Sequence, residues 1–157
     1  MSVQPAFLRE AIQLSLANVD SGDGGPFGAV VVRDGEVIAR GRNRVLREND
    51  PTAHAEVIAI RRACARLDSF SLAGCEIYAS CQPCSMCLSA IYWARIERIT
   101  FAAEPADAAA AGFDDAAFYE ELAKPPQERA IPMTQALRAE AQRAFQLWMQ
   151  NPNRISY

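Results

Sequence analysis

The sequence predicts an α/β domain with one mixed sheet and helices on both faces. Two observations carry that expectation. An apolar run and an alternating run flank Asp34-Gly35, a hairpin turn signal. Beyond them, strand-like runs alternate with helical ones, the order in which α/β sheets are built.

The elements follow in order. Residues 5–19 place Phe7, Leu8, Ile12 and Leu16 at helical spacing, with Pro5 near the start. Residues 27–33 (FGAVVVR) are almost continuously apolar and read as a buried strand. Residues 36–43 alternate and read as its hairpin partner. Pro51 and Thr52 open a helix that runs to Leu67. Residues 76–80 form a third strand, Pro83 starts a helix to about Trp93, and residues 96–102 form a fourth strand. After Phe101 the pattern weakens into the alanine-rich stretch 106–117, which contains Gly112-Phe113-Asp114-Asp115. Residues 116–123 are helical until Pro125-Pro126 stops them. Residues 134–149 are helical again, and 151–157, with Pro152, read as extended. There is no internal repeat and no long linker, so residues 1–157 are expected to form a single domain.

Composition narrows the function classes. The chain has 157 residues and is 50% hydrophobic, enough for a core without disulfide or metal staples. A net charge of -3 and a pI near 5.2 argue against a nucleic-acid partner, because phosphate contacts need clustered Lys and Arg. No apolar run is long enough for a membrane span, and residues 1–10 do not read as a signal peptide. The five cysteines are an odd number, and three crowd into positions 81–87. That suits a cytoplasmic protein with a metal or redox site better than a secreted disulfide framework.

Two short motifs carry the chemistry: His54-Ala55-Glu56 and Pro83-Cys84-Ser85-Met86-Cys87. Each falls at the start of a predicted helix. Two cysteines three apart at a helix start can turn both sulfurs to one centre, and the helix dipole there favours thiolates. His54 adds a neutral imidazole. One His and two Cys leave tetrahedral zinc an open position for water, the pattern of a catalytic site. Zinc lowers the pKa of that water toward about 7. Glu56, two residues from His54, can then collect and deliver protons.

Rival readings exist. A CxxC pair alone also serves redox or structural sites. Cys81, Cys84 and Cys87 resemble part of an iron–sulfur run, but the fourth, proline-flanked cysteine is missing. Cys81 ends a predicted strand and is read as a residue beside the ligands, outside their set. Cys64 and Cys75 read as small buried apolar residues. His54 is the sole histidine and sits inside the motif, which favours one catalytic zinc.

The H-x-E and P-C-x-x-C pair is the established signature of zinc-dependent nucleobase deaminases. NDPTAHAEVIAIRRAC (49–64) and SCQPCSMCLSAIYWARI (80–96) resemble the cytidine deaminase superfamily. GGPFGAVVV (24–32) and AAEPADAAAAGFDD (102–115) resemble its bacterial guanine deaminases, as does the tail through Phe145, Trp148 and Tyr157. The tRNA adenosine deaminases share PTAHAE and PCxMC, so those motifs alone do not separate the two. The resemblance covers nearly the whole chain. It implies a three-layer α/β/α sandwich with a mixed five-stranded sheet, cytidine deaminase-like.

It also implies hydrolysis of guanine to xanthine and ammonia, with zinc-bound hydroxide attacking C2 and Glu56 as the proton shuttle. By the same resemblance Asn43 hydrogen-bonds the base and Phe27 stacks on it. The backbone N–H of Ala55 faces it, Asp115 reads it, and Trp93 walls the pocket. On the residues alone, Asn43 could be a turn residue, Phe27 core packing, and Asp114 or Asp115 a helix cap. The resemblance further implies a homodimer in which segment 127–157, including Tyr157, is swapped over the partner's active site, with Pro125-Pro126 as hinge. The plainer alternative is a last helix packed in its own subunit with a frayed tail. One departure stands out: Gln82 occupies the place where the family usually has Glu, keeping the hydrogen-bonding shape but dropping a charge, which should tune the ligand surroundings modestly.

Three functions are therefore in play. The first is a small-molecule guanine deaminase. The second is a tRNA wobble-adenosine deaminase, which should carry basic residues near its site and in its last helix. Here that helix has Arg138 and Arg143 with Glu140 between them. The third is a non-catalytic zinc-stabilised interaction domain, for which a general base at Glu56 has no use.

Overall fold

The computed structural model describes residues 4–157; the first three residues of the stretch 1–10, read above for a leader, lie outside it. The chain divides into two compact units, Met1–Asp115 and Ala116–Tyr157.

The first unit carries the sheet. Helix α1 (Pro5–Val19) precedes strands β1 (Gly28–Arg33) and β2 (Glu36–Arg42). Helices α2 (Val45–Glu48) and α3 (Ala55–Leu67), strand β3 (Cys75–Cys81), helix α4 (Ser85–Trp93), strand β4 (Arg98–Ala103) and helix α5 (Pro105–Ala110) follow. The strand order is β2-β1-β3-β4. β1 is antiparallel to β2 and β3, and β3 is parallel to β4. The sheet is mixed, as expected, but it has four strands among the described residues where the resemblance implied five. The chain after β4 turns into the short helix α5, closed at its start by a reciprocal Glu104–Asp107 capping box. The hairpin turn is made by Asp34 and Gly35, both at positive φ, +51° and +78°. That is the primed-turn chemistry that matches strand twist.

β1 is buried on both faces, which is why it reads as an apolar run and not as an alternation. Val30 and Val32 pack with Tyr78 against Phe7, Leu8 and Leu14 on the α1 side. Ala29 and Val31 pack with Ala55, Ala59, Ala63 and Ile91 on the α3–α4 side. Two close approaches set the layer spacing. A Cβ at Gly28 would stand 2.3 Å from the Ala11 carbonyl oxygen, and one at Gly41 would stand 1.9 Å from that of Ala55. The α1 stripe consequently differs from the expected one. Ala11, Ser15 and Asn18 are buried, whereas Leu16 is 56% exposed. Only small side chains fit where the helix backbone lies against Gly28.

The predicted opening of α3 at Pro51-Thr52 is a turn. Asp50 Oδ1 accepts from the Thr52 N–H (2.8 Å) and hydroxyl (2.7 Å), and α3 begins only at Ala55, with His54 as N-cap. The second unit holds helices α6 (Ala116–Ala123) and α7 (Arg138–Gln150), joined through a 3₁₀ turn at Pro126–Glu128. α7 starts four residues later than expected because Leu137, at φ +53°, is left-handed. Neither helix has a buried residue. No helix among the described residues is long and apolar enough to cross a membrane.

Candidate active site

The two motifs meet at the N-termini of α3 and α4. His54 and Cys84 are the N-cap residues, each in extended backbone, so their side chains stand at the helix mouths. Cys87 lies one turn into α4 and is fully buried. His54 Nδ1 lies 3.6 Å from Cys84 Sγ and 3.5 Å from Cys87 Sγ. A tetrahedral centre with Zn–N near 2.05 Å and Zn–S near 2.3 Å requires N···S separations of about 3.6 Å. The donor set fits one zinc in chemistry and in spacing. Among the described residues, His54, Cys84 and Cys87 are the group whose donor atoms converge, all within 4.8 Å of one another. Cys81 is outside it. Its thiol faces the Glu104 carbonyl oxygen at 3.7 Å, as the sequence reading expected of a neighbour. Cys75 is buried, as expected, and Cys64 is half-buried.

The electrostatics suit a metal that binds thiolates. The bond from Cys87 and the facing His54 hold the Cys84 thiol down at about 4, while the bond to Cys84 and burial push Cys87 up. Zinc binds cysteine as thiolate, so binding at this pair releases the protons the sulfurs hold. The neighbouring Cys84 raises the His54 imidazole, and the charges of Glu56 and Asp115 act in the same direction. Glu56 is buried, 8% exposed, and its Oε2 lies 3.5 Å from Cys87 Sγ. Burial pushes its carboxyl above the ordinary carboxylate range. A carboxyl so raised exchanges protons more readily near neutral pH.

The other predicted residues lie as follows. Asn43 is the residue after β2, which stops at Arg42 and not at 43 as expected, and it is buried. Its Oδ1 accepts from the backbone N–H groups of Gly25 (3.3 Å) and Val45 (3.1 Å). Both lone-pair directions of the oxygen are used, which leaves the amide NH2 to donate. Phe27 precedes β1 and meets Phe113 edge-on, ring centroids 5.0 Å apart. Phe113 thereby anchors the Asp114–Asp115 segment beside Phe27, a role the sequence reading did not assign. Asp115 is half-buried and its charge reaches His54 and Cys81. Asp114 is exposed. Ala55 is fully buried, and its N–H is the first in α3, one of the donors a helix leaves without an internal partner. Trp93 ends α4, 62% exposed, with the Arg95 guanidinium 5.9 Å from its ring centre. Tyr157 lies in the second unit and is exposed. Gln82 is exposed, its backbone N–H bonded to the Ala103 carbonyl at 2.9 Å.

A zinc-type donor set of half-buried His54 and Cys84 and buried Cys87, beside a buried carboxylate and at helix starts against a mixed sheet, defines a metal-assisted hydrolase of nucleobase amines. The chain belongs to the family of the cytidine and deoxycytidylate deaminase zinc-binding region, which residues 1–103 match. The superfamily resemblance read from 49–64 and 80–96 is borne out. Guanine deaminase of Bacillus subtilis (strain 168) is 52% identical over 151 residues, covering 96% of this chain and 97% of the relative. The X-ray structure of guanine deaminase from Bacillus subtilis matches at a TM-score of 0.95 and 50% identity, over 99% of both chains. The tRNA-specific adenosine deaminase of Aquifex aeolicus (strain VF5) is 42% identical over 97 residues, 62% of this chain and 64% of its own.

Proposed function

We propose that this chain is a guanine deaminase, hydrolysing guanine to xanthine and ammonia. The observation that carries the reading is the 52% identity to a guanine deaminase along 96% of the chain. The tRNA deaminase matches 62% of it. A match over 96% of the chain extends well past residues 1–103, the region that the zinc-binding deaminases share.

In this reading His54, Cys84 and Cys87 hold one zinc. Bound there, zinc supplies Lewis acidity that brings the pKa of a water at its open position toward about 7. Glu56 would accept a proton from the attacking water as the water oxygen bonds to C2 of guanine. The same carboxyl would pass that proton to a ring nitrogen, then take the second proton from the new C2 hydroxyl and pass it to the departing amine, so that the C2–N bond breaks, ammonia leaves and the C2 carbonyl forms. Asn43, its oxygen already held, donates its NH2 to an acceptor on the base. Phe27 stacks on the ring, and the Ala55 N–H faces it. Asp115 accepts from a ring N–H, with Asp114 beside it in the same segment. Trp93 contributes to the pocket wall.

The working form in this reading is a cytoplasmic homodimer of purine catabolism. Segment 127–157 of one subunit, with Tyr157 at its end, closes the partner's active site. The absence of any buried residue in α6 and α7 supports this, since Phe145, Leu147 and Trp148 are all exposed in the single chain. Apolar surface on that scale normally finds a cover.

The test is a substrate panel with zinc-loaded protein. Ammonia release from guanine, with no inosine formed in a tRNA anticodon stem-loop, is the expected result. Inosine formation without guanine turnover overturns the proposal.

A further inference from the structure

The polar residue most deeply buried in the first unit is one the chemistry above does not use. Asn18, in the last turn of α1, is 0% exposed. Its Nδ2 donates to the Gly25 carbonyl at 2.7 Å and to the Asn43 carbonyl at 3.0 Å. Its Oδ1 accepts from the Ser21 hydroxyl at 3.1 Å. Both amide hydrogens are thus committed to two backbone carbonyls that are eighteen residues apart in sequence.

Those carbonyls belong to Gly25, which together with Val45 holds the Asn43 side-chain oxygen, and to Asn43 itself. Gly25 supplies an N–H to Asn43 Oδ1, and Asn43 supplies the carboxamide itself. The Asn43 N–H in turn donates to the Phe27 carbonyl at 3.1 Å. Asn18, Gly25 and Asn43 therefore form a closed ring of hydrogen bonds that ties the end of α1 to the loop before β1 and to the residue after β2. Space in the ring is tight: a Cβ at Gly24 would stand 2.1 Å from Asn43 Oδ1. A carboxamide held this way cannot turn its oxygen and nitrogen about without breaking two backbone bonds.

We propose that Asn18 is a positioning residue for substrate, acting through Asn43. It holds the Gly25 and Asn43 backbones between which the Asn43 carboxamide is fixed with its NH2 turned to the base, and sets the Gly25 loop that leads into Phe27. The site accordingly demands a hydrogen-bond acceptor on the purine at that point, and Asn18 enforces the demand from outside the pocket. This rests on the reading of Asn43 as a base-binding residue.

A double-mutant cycle with zinc content and guanine kinetics tests it. Asn18→Ala should keep its zinc and raise KM for guanine about tenfold, with kcat within about twofold, the size expected from misplacing one directional hydrogen bond. Asn18→Ser, which keeps one donor, should fall between Ala and wild type and serves if the Ala variant does not fold. In an Asn43→Ala background the Asn18 substitution should change KM less than about twofold, because residues acting through one another are not additive. Equal losses in both backgrounds, or a fall in kcat with zinc loss, would overturn the proposal by showing a general structural role. Unchanged turnover in Asn43→Ala alone would instead refute the base-binding role of Asn43.

Discussion

The two units of the chain solve different problems with similar composition. Met1–Asp115 buries apolar side chains on both faces of its sheet and brings every zinc donor and Glu56 together. Ala116–Tyr157 buries no side chain of either helix and leaves Phe118, Ile131, Phe145, Leu147 and Trp148 exposed. Preorganised chemistry needs ligands fixed by packing, and only the first unit supplies that. The second leaves its helices without a buried residue, which supports the proposed role as a segment covered by another surface.

The comparison predicts where substitutions hurt. The largest effect belongs to Glu56→Gln. It should retain zinc while guanine turnover falls about 10³-fold, as loss of a general acid–base group does. Metal analysis beside an ammonia assay checks both halves. Next comes the tail: deleting residues 151–157 should leave zinc and the unfolding midpoint intact but lower turnover at least about tenfold, as loss of a closing segment does. Unchanged turnover would remove the closing role. Last is stability. Gly41→Ala places a methyl against the backbone of α3, 1.9 Å from the Ala55 oxygen and 2.7 Å from the Ala59 nitrogen. It should cost about 3 kcal/mol by denaturant unfolding, because neither atom can swing away. Lys124→Ala, which removes an exposed ion pair with Glu121 in the second unit, should leave the midpoint where it was.

Much of the first unit was legible because its signals are local. The Asp34-Gly35 turn, the β1 run and the two ligand motifs each lie within a few consecutive residues. His54, Cys84 and Cys87 could be assigned to one centre without seeing them meet. What was not legible depends on distant partners. Nothing in 5–19 indicates that Gly28 will press on Ala11 and Ser15, so Leu16 read as an inward residue. The four-residue α2 is too short to show a period; Asn49, left-handed at φ +48°, ends it. The fifth strand was expected from the resemblance alone, and no local pattern after β4 called for one. Nothing local in the sequence marks Asn18, since its bonds reach Gly25 and Asn43 only through the fold. The Phe27–Phe113 contact was hidden for the same reason.

In the proposed dimer the first unit carries the chemistry and the second completes the site of a partner subunit. Mixing two defective chains tests it most directly: Glu56→Gln, whose tail is intact, and the chain lacking 151–157, whose site is intact. If the segment is swapped, half of the dimers after subunit exchange carry one complete site. Guanine turnover then recovers to about a quarter of the wild-type rate per chain. If each segment closes its own subunit's site, no mixed dimer holds a complete site. Turnover stays at the sum of the two defective chains, and that result would contradict the account.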